Sequence, residues 1–150
     1  MSLGVDTDVL VHWAMEGTAH HRAARRLFQQ ELERGRRLAI VPQVLHEFLH
    51  VATDSRRFEH PLSMREGTSL VRRFWASPMV EQVPGIASPD RICELLDSFK
   101  LGRKRIHDTA LAATLEAAGI DRLATFNGRD FRIFRFLTVV DPLSTASTAP

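Results

Sequence analysis

The sequence predicts an α/β domain with a mainly parallel central sheet, helices covering both faces. Three observations carry this. Short apolar, β-rich runs alternate with helical stretches from one end of the chain to the other. Several of those runs, such as "RLAIVP" (37–42), "RLATF" (122–126) and "FLTVV" (136–140), are apolar on successive positions rather than every second one, as strands buried on both sides require. And 150 residues with 44% hydrophobic content suffice for one well-filled core.

Each element has a local reason. Leu3–Val5 starts a short strand, and a helix begins at Asp8 and runs to Met15. A long amphipathic helix follows over Ala19–Arg34 and stops at Gly35. Pro42 closes the 37–42 strand and suits the first turn of a helix over 42–54. Ser63 with Glu66 three residues on is a capping box for a helix to Ala76. "MVEQV" (79–83) reads as a strand, Ser88 opens a helix to about Leu101, and 105–119 is a helix ended by Gly119. The last two runs, 122–126 and 136–140, are strands. One domain over 1–142 is expected, with a disordered C-terminal tail over 143–150 where "STASTAP" offers nothing to bury.

Composition narrows the class. Formal net charge is +2 and the pI about 9.3, a weakly basic balance that permits nucleic-acid binding without requiring it. No apolar run approaches the roughly 20 residues that span a bilayer, and no basic region precedes a long apolar stretch at the N-terminus. Cys93 is the single cysteine, which excludes an internal disulfide. A cytoplasmic location, without membrane attachment, is the expectation.

In open parallel sheets ligands bind beyond the carboxyl ends of the strands, so acids just after strands or at helix starts matter most. Asp6 follows the first strand, with Asp8 two residues on. Asp108 lies in the first turn of the 105–119 helix, and Asn127 and Asp130 follow the 122–126 strand in "TFNGRDF". Glu47 sits inside a helix. At about 100° per residue, Val44, Leu45, Phe48, Leu49, Val51 and Ala52 form an apolar arc. Glu47 lies at its edge, while Gln43, His46 and His50 face the wetter side. Taken singly, each acid has a plain reading: a helix cap for Asp6 or Asp8, a dipole partner for Asp108, a turn residue for Asp130, a surface acid for Glu47. Taken jointly, converging carboxylates repel, and a hard divalent cation with oxygen ligands relieves that repulsion. Such a cation activates water and supports in-line displacement at phosphorus.

"GVDTDVLVH", "VPQVLHEFLHVATDSRRFEHPLS", "RIHDTALAATLEAAGI" and "LATFNGRDF", in this order over Leu3 to Asp141, resemble the motifs of PIN-domain proteins, most closely the VapC ribonuclease toxins of bacterial toxin–antitoxin pairs. The resemblance implies the PIN fold, an α/β/α sandwich, and Mg²⁺- or Mn²⁺-dependent endonucleolytic cleavage of RNA. It implies a VapB-like antitoxin partner and a homodimer. It places the family's acids at Asp6, Glu47 and Asp108, with the fourth position in the 125–131 loop, where Asp130 supplies the charge and Asn127 assists. In this reading Asp6 and Asp108 contact the metal, Asp8 stands behind them, and Thr7 and Thr125 hydrogen-bond the carboxylates. Arg103, Lys104 and Arg105, just before Asp108, are candidates to grip the RNA backbone.

Three other readings compete. "HEFLH" (46–50) matches H-E-x-x-H on a helix, with His46 and His50 as zinc ligands and Glu47 as base, but Thr53 and Arg56 stand where a metzincin continues with Gly and His, and Asp6 and Asp108 are left without a role. "DTD" after a first strand also resembles a haloacid-dehalogenase-like phosphatase, though "TFNGRD" lacks that family's paired acids. The third is a PIN-like module that binds RNA or a partner without cutting.

Overall fold

The computed structural model describes residues 1–85 and 87–144. The order of elements is β1 (Ser2–Val5), α1 (Thr7–Ala14), α2 (His21–Glu33), β2 (Arg37–Ile40), α3 (Pro42–Ala52), α4 (Met64–Trp75), β3 (Val80–Gln82), α5 (Pro89–Ser98), a 3₁₀ turn (Arg103–Arg105), α6 (Ile106–Ala117), β4 (Arg122–Ala124), α7 (Gly128–Phe131) and β5 (Thr138–Val140). The five strands form one sheet in the order β3-β2-β1-β4-β5. All four pairings are parallel.

The sequence explains this sheet. Leu3, Val5, Leu38, Ala39, Ile40, Leu123 and Ala124, from the three central strands, are all buried, as expected where helices cover both faces. The chain moves outward from β1 to β2 to β3, then crosses back to β4. Right-handed crossovers therefore lay α1 to α4 on one face and α5 and α6 on the other. Packing agrees, with α1 against α2 and α3, α3 against α4, and α5 against α6. Gly4 lets β1 approach the opposite layer, since a Cβ there would lie 2.9 Å from both the Arg122 carbonyl and Leu115 Cδ1.

Helix ends follow their signals. Ser63 Oγ accepts from the Glu66 amide at 3.1 Å, and its hydroxyl donates to Glu66 Oε1 at 2.9 Å. Gly119 adopts φ +72°, and the Ile120 amide reaches back to the Leu115 carbonyl at 2.9 Å, closing α6 as a left-handed glycine closes a helix. A buried ion pair ties the first helical layer to the sheet: Arg122 on β4 donates twice to Glu31 on α2, at 2.9 Å each. Leu143 and Ser144 close a turn on Asp141, and the rest of the expected tail, 145–150, lies outside the described residues. Among the described residues no helix is long and apolar enough to cross a membrane.

β1 pairs with β2 on one side and with β4 on the other. Connections leaving β1 and β4 diverge to opposite faces there, so the crevice at their carboxyl ends is the topological switch point where such sheets bind ligands.

Candidate active site

Asp6 ends β1 and caps α1: its Oδ1 accepts from the Thr7 amide at 2.8 Å. Its Oδ2 accepts from the Thr125 hydroxyl, just beyond β4, at 2.8 Å. The Asp6 amide donates to the Ala124 carbonyl at 3.0 Å. The carboxylate is thus fixed from both strands of the switch point. Burial pushes Asp6 up to about 7, helped by Asp8 and Asp108 and opposed by the Thr125 and Thr7 hydrogen bonds. Asp8, in the first turn of α1, is pushed up to about 6, again mainly by burial, opposed by the backbone N–H groups of Val9 and Phe126 and helped by repulsion from Asp108. Its Oδ1 is buried and meets no hydrogen-bond donor of the described residues.

Glu47 stands on α3 where its helical phase places it, at the exposed rim of the apolar face. Thr7 is buried, and its hydroxyl donates to Glu47 Oε2 at 2.9 Å, which draws Glu47 toward Asp6. Asp108 projects from the first turn of α6. It too is raised, by burial first and then by Asp130, with Glu47 contributing and Arg105 opposing. Asp130, on α7, accepts from the Asn127 amide nitrogen Nδ2 at 2.9 Å through Oδ2. The Asn127 backbone N–H donates to Thr125 Oγ1 at 3.0 Å, so the hydroxyl that holds Asp6 also anchors the loop bearing Asp130.

The structure therefore gathers Asp6, Asp8, Glu47, Asp108, Asp130 and Asn127 at one sheet edge, from segments as far apart as β1 and α7. Arg105 joins them. Its guanidinium approaches Asp108 Oδ2 at 3.9 Å and Asp130 Oδ1 at 3.6 Å, and also donates to the Asp130 carbonyl. Arg103 and Lys104 stay apart from this group, exposed on the 3₁₀ turn.

Two clefts open beside the acids, and Asp6, Thr7 and Glu47 line both. One, of about 440 Å³, runs past His46, Gly85, His107 and Asp108. The other, of about 470 Å³, runs past Asp8, His12, Thr18, Val51, Arg57 and Phe58. The Thr7–Glu47 hydrogen bond joins two residues that line both. Sequence reading assigns Arg57 and Phe58 no part in a site: "DSRRF" lies within the quoted 41–63 stretch and Arg56-Arg57 reads as a solvated basic pair, but "DSRRF" carries no periodicity, and its place depends on how the loop after α3 meets α1.

The donor set is entirely oxygen, which suits a hard divalent cation. Crowded acids with raised pKa values point the same way. Among the described residues, no three His, Cys, Asp or Glu side chains stand close enough to encage an ion. His46 and His50 are exposed on α3, so the "HEFLH" segment presents two histidines without a third ligand.

Comparison with known proteins places this arrangement. Ribonuclease VapC24 of Mycobacterium tuberculosis is 28% identical over 148 residues, covering 95% of this chain and 98% of that one. Ribonuclease VapC33 of the same organism is 28% identical over 141 residues, covering 92% and 96%. Among solved structures, VapBC2 from Rickettsia felis, bound to a DNA fragment from its promoter, superposes with a TM-score of 0.67 at 16% identity, covering 93% of this chain and 98% of that one. M. tuberculosis VapC20, a sarcin–ricin-loop-cleaving toxin, superposes with a TM-score of 0.61 at 20% identity, covering 88% and 95%. Residues 4–137 match the PIN domain, and the chain belongs to the PIN-domain family.

Proposed function

We propose that this chain is a divalent-metal-dependent endoribonuclease, the toxin of a VapBC-type pair, cutting RNA phosphodiester bonds with a metal-activated water. One observation carries the reading most: Asp6 is buried at the switch point and held by Thr7 and Thr125, with Asp8 and Asp108 close enough to add their repulsion to the burial that raises it, and a bound cation relieves that gathering of carboxylates. Relatives named ribonuclease VapC match nearly end to end, which supports RNA as the substrate.

Asp6 and Asp108 would hold Mg²⁺ or Mn²⁺ directly, while Glu47 and Asp130 would hold its waters. Mg²⁺ keeps several waters and takes only one or two carboxylates, so a site of two direct ligands does not need a closed cage. When bound, the ion supplies a water nucleophile and charge stabilisation for in-line displacement. Thr125 fixes the Asp6 carboxylate, Thr7 fixes Glu47, and Asn127 orients Asp130. Arg103 and Lys104 are exposed and available to RNA phosphates; Arg105 is turned inward, toward Asp108 and Asp130. A VapB-like antitoxin is the expected protein partner, in line with structural neighbours that include VapBC complexes, and a homodimer belongs to the same proposal.

The test is incubation of purified, antitoxin-free protein with total RNA. Discrete cuts in Mg²⁺ or Mn²⁺ that disappear in EDTA are expected. Intact RNA in every condition, from folded protein, overturns the reading.

A further inference from the structure

The cleft on the α1 side of Glu47 has features that holding a metal does not use. Among its lining residues are Asp8 and Thr18, the Thr18 hydroxyl donating to the Met15 carbonyl at 2.8 Å and keeping its acceptor side. Val11, Val51 and Phe58 add apolar surface to it. Arg57 stands on it as a cation whose side chain is 61% exposed. The segment bearing Arg57 and Phe58 is not a loose loop. Asp54 organises it: its carbonyl accepts from the Arg57 and Phe58 amides at 3.1 and 3.2 Å, its Oδ1 accepts from the Arg56 amide at 2.9 Å, and its Oδ2 faces Arg57 Nε at 3.7 Å. The Leu62 amide then returns to the Ala52 carbonyl at 2.9 Å. The backbone that carries Arg57 and Phe58 is thereby held against α3, with Phe58 partly buried against the core and Arg57 exposed.

We propose that this cleft is a nucleotide subsite for the RNA strand beside the scissile phosphate, with Phe58 as the stacking face for one base and Arg57 as the contact to the adjoining phosphate. The proposal rests on the ribonuclease reading and adds to it where the strand lies. The volume, about 470 Å³, falls in the range of small-ligand sites. The lining offers each kind of group a nucleotide needs: an aromatic ring for the base, a carboxylate and a hydroxyl for ribose hydroxyls, and a cation for phosphate. Stacking on an aromatic face tolerates any base, so Phe58 contributes affinity, while Arg57 sets the register of the backbone. A basic side chain from a protein partner would meet Asp6, Asp8 and Glu47 as well as Arg57 in the same cleft, and the co-expression arm of the test separates that occupant from RNA.

The test uses a fluorescein-labelled single-stranded RNA decamer of randomised sequence, with Mg²⁺, bound to the full chain carrying Asp108→Asn to prevent cutting; anisotropy reads the affinity. Phe58→Ala should weaken binding roughly 5- to 150-fold, the range for one stacked base. Phe58→Leu, which keeps apolar bulk for the core but loses the flat face, should weaken it too, while Phe58→Trp should restore it. Arg57→Gln should lower the slope of log affinity against log salt by about 0.7, one phosphate contact on a single strand. Arg72→Gln, an equal charge loss on the exposed face of α4, should leave that slope alone. Unchanged affinity in Phe58→Leu and Arg57→Gln, or equal effects of Arg57→Gln and Arg72→Gln, overturns the subsite. If the unmutated chain nonetheless cuts total RNA in Mg²⁺, the ribonuclease reading survives that result. If the variants bind RNA normally but lose a co-expressed antitoxin, the cleft belongs to the protein partner and the subsite is overturned. If the unmutated chain cuts no RNA and the Asp108→Asn protein binds none, both readings fall together.

Discussion

Thr7 Oγ1 donates to Glu47 Oε2 at 2.9 Å, joining the first turn of α1 to the middle of α3 across the two clefts. Thr7 is buried, so its hydroxyl has little alternative use, and Glu47 depends on it for its aim. Thr7→Val keeps the shape and removes the donor. A hydrogen bond to a charged group is worth about 1.5–3 kcal/mol, so the RNA cleavage rate in Mg²⁺ should fall about tenfold or more. Thr7→Ser should stay near the unmutated rate.

The raised carboxylates make metal-free stability depend on pH. For Asp6 and Asp8 the folded-state values, about 7 and about 6, lie above the ordinary 3.8. Between those limits the folded state binds more protons than the unfolded one, so stability falls as pH rises through this window. Glu31 is lowered by its Arg122 hydrogen bonds and has the opposite sense, losing stability on acidification; a difference between two proteins is therefore the clean measurement. Asp8→Asn should melt higher than the unmutated chain at pH 8 in EDTA, by about 2–4 °C, the shift that 1 kcal/mol gives a domain of this size. The gain should shrink toward pH 5. Thermal scans at both pH values check it.

Arg105 neutralises part of the acidic group through Asp108 and Asp130. Partly exposed pairs of this kind are worth about 1 kcal/mol or less. Arg105→Gln should therefore bind Mn²⁺ about two- to fivefold more tightly by calorimetry. It should also cut RNA more slowly, because Asp130 loses the guanidinium that accompanies its carbonyl and carboxylate.

Glu31 is 1% exposed, and Arg122 holds both its oxygens from 91 residues away. Glu31→Ala strands the Arg122 charge. Removing one partner of a buried pair costs about 3–5 kcal/mol, or roughly 6–20 °C in Tm. The joint change Glu31→Leu with Arg122→Met should recover much of that loss. Thermal denaturation in fixed Mg²⁺ measures both.

Local signals in the chain carried most of the fold. Ser63 and Glu66 formed the expected capping box, Gly119 ended α6, and the apolar runs at 37–42, 122–126 and 136–140 became strands, each trimmed by two residues at one end. The helix expected over Ala19–Arg34 starts later, at His21, and the one expected from 105 is preceded by a 3₁₀ turn over Arg103–Arg105. The single-turn α7 was invisible, because four residues give no period to read. The acids were legible by position, each just after a strand or in a first helical turn, and Glu47 by its helical phase. What depended on strand order was not. Arg105 was grouped with Arg103 and Lys104 as a basic run, yet the packing of α7 against α6, at either end of β4, turns Arg105 onto Asp130. The second cleft was hidden for the same reason: Phe58 and His12 are 46 residues apart by number, and only the packing of α3 on α1 makes them walls of one space.

The most direct measurement is a time course of cleavage of one end-labelled RNA in Mg²⁺ by the unmutated chain and by Asp108→Asn, purified identically and matched for Tm. Asp108 approaches the centre of the acidic group from α6, and its amide keeps the size while removing the charge. The expected result is a fall of about a hundredfold or more, in the range for loss of a group that acts on the transition state. Equal rates from the two proteins would contradict the assignment of cleavage to these acids.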